Sequence, residues 1–135
     1  MGRPYWLAVA AYLLPTFPLG YFWHLTTFRT QYERLEMYRQ EVIIPLGLAT
    51  MIVQALIFAW LYPRLFSTNR EAWLQGAAGF ALVFGVLAWT FTTLPVAAKY
   101  RMTSVSSFLL LESAFTVVQF LVVSPLVTLA WRDAA

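Results

Sequence analysis

The chain has 135 residues, no cysteine and a formal net charge of +3. Hydrophobic residues make up 61% and charged residues 11%, against roughly 45–50% and about 25% in soluble domains. That balance leaves too little polar surface for a water-soluble domain. The missing cysteines exclude disulfides, thiolate metal sites and cysteine nucleophiles. Basic residues are scattered along the chain rather than clustered, so nucleic acid is not an expected partner.

The first charge-free run covers residues 4–28. A helix needs about 20 apolar residues to cross the hydrocarbon core, so a first span is expected over about 5–27. The run is too long for the apolar core of a cleavable signal peptide. Tyr5, Trp6 and Trp23 are placed as interfacial anchors. Pro15 and Pro18 lie mid-span and predict a kink. Thr16, Gly20, His24 and Thr27 recur at helical spacing and form one polar stripe.

Residues 29–41 form the longest and most charged connection, with three Arg and three Glu. Tyr32, Leu35, Met37 and Tyr38 among these charges predict a short amphipathic helix lying at the membrane surface.

The next charge-free run, 42–63, predicts a second span with Pro45 in its first turn, where proline costs little. Gly47, Thr50 and Gln54 share one face, and Ala55 with Ala59 offers a small-residue packing edge. A third span is expected over about 73–97. Its Ala77, Ala81 and Gly85 recur every four residues and predict a close-packing face opposite Phe80, Leu82, Val83 and Leu87. The fourth, over about 104–131, contains a single charged residue, Glu112. Glu112, Thr116 and Gln119 fall on one helix face.

The expected fold is therefore all-α, a single integral membrane domain built as a transmembrane four-helix bundle. Short loops predict antiparallel sequential neighbours. Four spans put both termini on one side, with Arg3, Arg64, Arg70 and Arg132. Arg29, Arg34, Arg39, Lys99 and Arg101 lie on the other. The counts nearly balance. The three Glu of the first loop offset its Arg residues and the amino terminus adds a charge, so the termini are read as cytoplasmic, in a bacterial inner membrane.

A charge in hydrocarbon turns toward the bundle interior, so Glu112 centres the candidate site. Thr116, Gln119, Gln54 and His24 are its expected companions. His24 and Glu112 fall in the same half of the bilayer, which makes a contact between them geometrically possible. Glu112 is either a structural interhelical bond or a handler of protons, ions or ligands. His24, with Gly20 one turn before it, could ligate a tetrapyrrole metal, but no cofactor and no dedicated metal site is expected. A second His, paired carboxylates, a phosphate loop and a nucleophile–base pair are all missing, so an enzyme is not expected.

Several stretches resemble small uncharacterised bacterial four-span membrane proteins. These are Gly20-Tyr-Phe-Trp-His24 with Phe28, Tyr32-Glu-Arg-Leu35, Ile43-Ile-Pro-Leu-Gly47, Phe58-Ala-Trp-Leu-Tyr-Pro63, and the run 112–119. The resemblance covers most of the chain and implies topology without implying an activity. Three functions are open at this point. The first is an accessory or scaffold subunit that packs against other membrane subunits, or against itself as a homo-oligomer, within membrane lipid. The second is a small homodimeric transporter or amphiphile-binding protein with its site at Glu112. The third is a haem or chlorin protein anchored at His24.

Overall fold

A computed structural model describes residues 1–134 and turns each charge-free run into helix. Helix α1 (Arg3–Phe22) continues through a π-helical turn, Trp23–Thr27, to complete the first span. A short helix α2 (Arg29–Arg34) follows it. Helix α3 (Ile44–Leu65) is the second span. The third span runs from Arg70 to Lys99: a 3-10 turn, then α4 (Trp73–Ala88), a second π turn (Trp89–Thr93) and α5 (Leu94–Lys99). Helix α6 (Val105–Trp131) is the fourth. Four helices long and apolar enough to cross a bilayer make this a multi-pass membrane protein and a four-helix bundle.

Four of the seven prolines lie where the spans start, run on or change pitch. Pro45 sits in the first turn of α3, where its missing amide costs nothing. Pro15 and Pro18 lie inside a helix that continues past both. Pro95 would push its ring against the carbonyl of Phe91 in an ordinary helix. The wider π turn directly before it makes room, with the Leu94 amide donating to Trp89 five residues back.

Around the bundle the order is α3, α1, α6, α4. The backbones come closest where α1 meets α6 and α3, and where α4 meets α6. Ala8, Ala55 and Ala59, all at most 1% exposed, permit this closeness between α1 and α3. Gly85 is buried under the Phe120 ring of α6, with Ala77 buried and Ala81 half-buried beside it. Helices α3 and α4 follow each other in sequence, yet they meet mainly through rings. Phe58, Tyr62, Phe80 and Phe84 wedge between them. Gly76 is the exception: a Cβ there would lie 2.2 Å from the Tyr62 hydroxyl.

Two expectations need correction. Phe80 does not face lipid opposite the small-residue edge; it is fully buried at the centre of the core, while Leu82, Val83 and Leu87 are exposed. Phe80 lies three residues after Ala77 and four before Phe84, so it shares their face. The segment 29–41 is also not one surface helix. Helix α2 ends at Arg34, and Glu36 takes a positive φ of 55° that turns the chain. Tyr32 and Leu35 fold inward onto Phe108, and the rest of the segment is irregular. Thr103, just before α6, holds this turn: its amide donates to the Leu35 carbonyl at 3.1 Å and its hydroxyl to Arg34 at 2.6 Å. At the opposite face the Asp133 amide donates to the Thr68 carbonyl, tying the chain end to the α3–α4 connection.

Candidate functional site

Two apolar clusters fill the bundle. One, on the side of the termini, is built on Tyr12, Phe80, Phe120 and their neighbours. The other lies under the first loop, around Tyr32, Leu35 and Phe108. The polar residues lie between them.

Glu112 is on the eighth residue of α6, about 10 Å below its start at 1.5 Å per residue. Its Oε1 lies 2.8 Å from His24 Nε2 and accepts the Tyr32 hydroxyl at 2.6 Å. The indole of Trp23 donates in turn to the Tyr32 oxygen at 3.2 Å. His24 Nδ1 lies 2.9 Å from the Gly20 carbonyl. A carbonyl only accepts, so Nδ1 carries hydrogen. The contact between Nε2 and Oε1 then holds one proton, on either partner, because two lone pairs do not meet at 2.8 Å. The π turn at His24 departs from the regular helix at this point, with the Phe28 amide donating to Trp23 five residues back. Burial, and then the Glu112 carboxylate, push the Tyr32 phenol above its ordinary pKa, so Tyr32 stays a neutral donor.

A second polar group lies deeper. The Tyr12 hydroxyl donates to Gln54 Oε1 at 2.9 Å and accepts from Gln119 Nε2 at 3.2 Å. Thr116 donates to the backbone carbonyl of Glu112. The five expected site residues therefore do not form one network. Glu112 and His24 pair with each other, whereas Gln54 and Gln119 are joined by Tyr12. Tyr12 has no role in the reading of the sequence, and Tyr32 has one only in the amphipathic first loop. Tyr12 sits at i−4 to Thr16 on the polar stripe of the first span, and that spacing was the available signal.

Two cavities meet at this site. The first, about 420 Å³, is a cleft between α1 and α3. Phe17, Leu48 and Met51 give it apolar walls, His24 lies along it, and residues 37–39 and 42–43 of the first loop roof it. Its outer end opens into a polar mouth beside Arg29, Glu33 and Arg39. The second, about 280 Å³, is a recess on the other side of α3. Glu112, Thr116, Gln119, Gln54, Thr16 and Thr92 border it. Gly47, Met51 and Phe115 are walls of both cavities. A Cβ on Gly47 would meet nothing within 4 Å, so α3 is loosely packed there.

Both ring nitrogens of His24 are engaged, so a tetrapyrrole metal would have to displace the Gly20 or the Glu112 bond. Met51 Cε lies 3.1 Å from where a Gly20 Cβ would be, so a side chain covers the small residue meant to admit the macrocycle. Among the described residues no three acidic or imidazole groups gather into a metal site. No protein-family model matches this sequence, and neither a curated protein nor a solved structure is significantly similar to it.

Proposed function

We propose that this chain is a non-catalytic membrane protein that binds a single-chain amphiphile, taken sideways from the bilayer into the cleft between α1 and α3. The carrying observation is that the cleft shares the walls Gly47, Met51 and Phe115 with the polar recess. An apolar chain can lie in one cavity while a polar group reaches the other. Ligand sites have this form: mostly apolar walls with a few placed polar groups.

The test is native mass spectrometry of protein extracted with its own membrane patch. A bound amphiphile of defined mass is expected on the wild type and is lost in Leu48→Trp, which fills the cleft alone. A wild type that flies bare, or carries only the bulk phospholipids in their membrane ratio, contradicts the proposal.

A second reading, a subunit that packs against other membrane helices or a second copy, is favoured by an outer groove of about 510 Å³ between α4 and α6. Ala78, Ala81 and Gly85 lie on its floor. Stoichiometric co-purification of another membrane protein supports that reading, and a lone monomer counts against it.

The resemblance to bacterial four-span proteins supports a bacterial inner membrane; cytoplasmic termini rest on the three Glu that offset the first loop's Arg residues and on the charge of the amino terminus. The chain lacks cysteine, so single cysteines report this directly. An impermeant maleimide on whole cells should label Gln40→Cys and spare Ser67→Cys.

A further inference from the structure

Two polar atoms at the recess, Thr16 Oγ1 and Glu112 Oε2, are open to a ligand. Thr16 is 1% exposed, and its Oγ1 meets no partner at full hydrogen-bond geometry among the described residues, with only the Tyr12 hydroxyl, already bonded to Gln54 and Gln119, beside it. Glu112 borders the same recess, and both of its side-chain bonds fall on Oε1, which leaves Oε2 free. A buried hydroxyl without a partner is costly, and a ligand that bonds it recovers that cost. The neighbouring side chains are uncharged: Thr116 bonds the Glu112 carbonyl, and Gln54 Oε1 and Gln119 Nε2 bond Tyr12, which leaves Gln54 Nε2 and Gln119 Oε1 as further neutral groups at the recess. Among the described residues no Lys or Arg faces the recess to neutralise an acidic ligand; Arg29 and Arg39 stand at the outer mouth instead.

We infer that the recess binds the head group of the amphiphile, and that this head group is uncharged and carries hydroxyl or amide donors. It donates to Glu112 Oε2 and exchanges a hydrogen bond with Thr16 Oγ1. Its tail passes Gly47 and Met51 and lies in the cleft. The head therefore points into the bundle, opposite to the orientation in which an anionic head would stay at Arg39. This inference rests on the amphiphile-binding proposal and names its ligand class.

The experiment uses the full chain in phosphatidylcholine nanodiscs and four probes, with binding read by native mass spectrometry. Monoolein has the tail and a diol head, methyl oleate has the tail without a donor, oleate is anionic, and glycerol is the head alone. Monoolein should bind about tenfold more tightly than methyl oleate, the worth of one to two hydrogen bonds. Thr16→Val should remove most of that difference and Thr16→Ser restore it, while methyl oleate binding stays unchanged in both. Glu112→Gln should act as Thr16→Val does. Leu48→Trp should weaken every tailed probe.

Glycerol binding as well as monoolein overturns the tail placement, because the recess would then take free polyols. Oleate binding most tightly, with loss in Arg39→Gln, overturns the head-in orientation. Equal binding of monoolein and methyl oleate overturns the head-group class while leaving the cleft proposal standing. Binding of no tailed probe overturns both.

Discussion

His24 and Glu112 meet from the first and last spans, with Nε2 and Oε1 2.8 Å apart and the imidazole fixed by the Gly20 carbonyl behind it. Each partner sits beside a structural irregularity or a cavity: His24 in a π turn and Glu112 at the polar recess. The pair is 88 residues apart in sequence and joins α6 to the end of α1. Polar contacts inside membrane proteins contribute about 0.6 kcal/mol on average and up to about 1.7. A double-mutant cycle of His24→Ala and Glu112→Ala, read by thermal unfolding in mild detergent, should give a coupling toward the upper end of that range, about 1–1.7 kcal/mol. Additive losses would mean that the contact contributes nothing.

Gly76 and Gly47 should respond oppositely to the same change. Gly76→Ala places a methyl on the Tyr62 hydroxyl and should cost about 1–3 kcal/mol as overpacking. Gly47→Ala meets open space and should stabilise α3 by up to about 1 kcal/mol, since glycine is a poor helix former. Melting temperatures of the two variants check this, and a rise in both would contradict the packing at Tyr62.

Alkaline pH should act through Tyr32. Its phenol is raised above the ordinary value of 10.0 by burial and by Glu112. The native state thus favours the neutral phenol. The stability it adds is complete below about pH 10 and is lost as pH rises toward the native value. Tyr32→Phe should flatten the fall of melting temperature above pH 10. An unchanged alkaline slope would place Tyr32 in water.

Thr103 should govern access to the first loop. Thr103→Val removes the hydroxyl bond to Arg34, worth about 1 kcal/mol, while keeping the amide bond to Leu35. Tryptic cleavage after Arg34 and Arg39 should accelerate several-fold, with the four spans intact. Unaltered cleavage would mean that the loop is held elsewhere.

The bundle could be read from the sequence because lipid imposes a single rule: charge collects outside, and what lies between must be helix. Counting depth along two antiparallel spans allowed a His24–Glu112 contact without requiring it, since rotation of the two helices decides whether the side chains face each other. The roles of Tyr12 and Tyr32 did not follow, because an aromatic with a hydroxyl reads equally as an interfacial anchor. Only the tertiary fold decides whether that hydroxyl meets headgroups or Gln54. Phe80 was misplaced for a related reason: a small-residue edge marks where backbones can approach, but large rings can fill the same face. The π turn at His24 has no local cue of the kind Pro95 gives the other one, and the cavities flanking α3 depend on how far the helices splay.

The most direct test of the account is photocrosslinking in a bilayer with monoolein that carries a diazirine in its tail, mapped by peptide mass spectrometry. The account predicts saturable labelling at low probe concentration, concentrated on Phe17, Leu48 and Met51 and abolished by Leu48→Trp. Labelling spread evenly over the outer surface, with Leu82 and Leu121 modified as strongly as Met51 and no saturation, would contradict it.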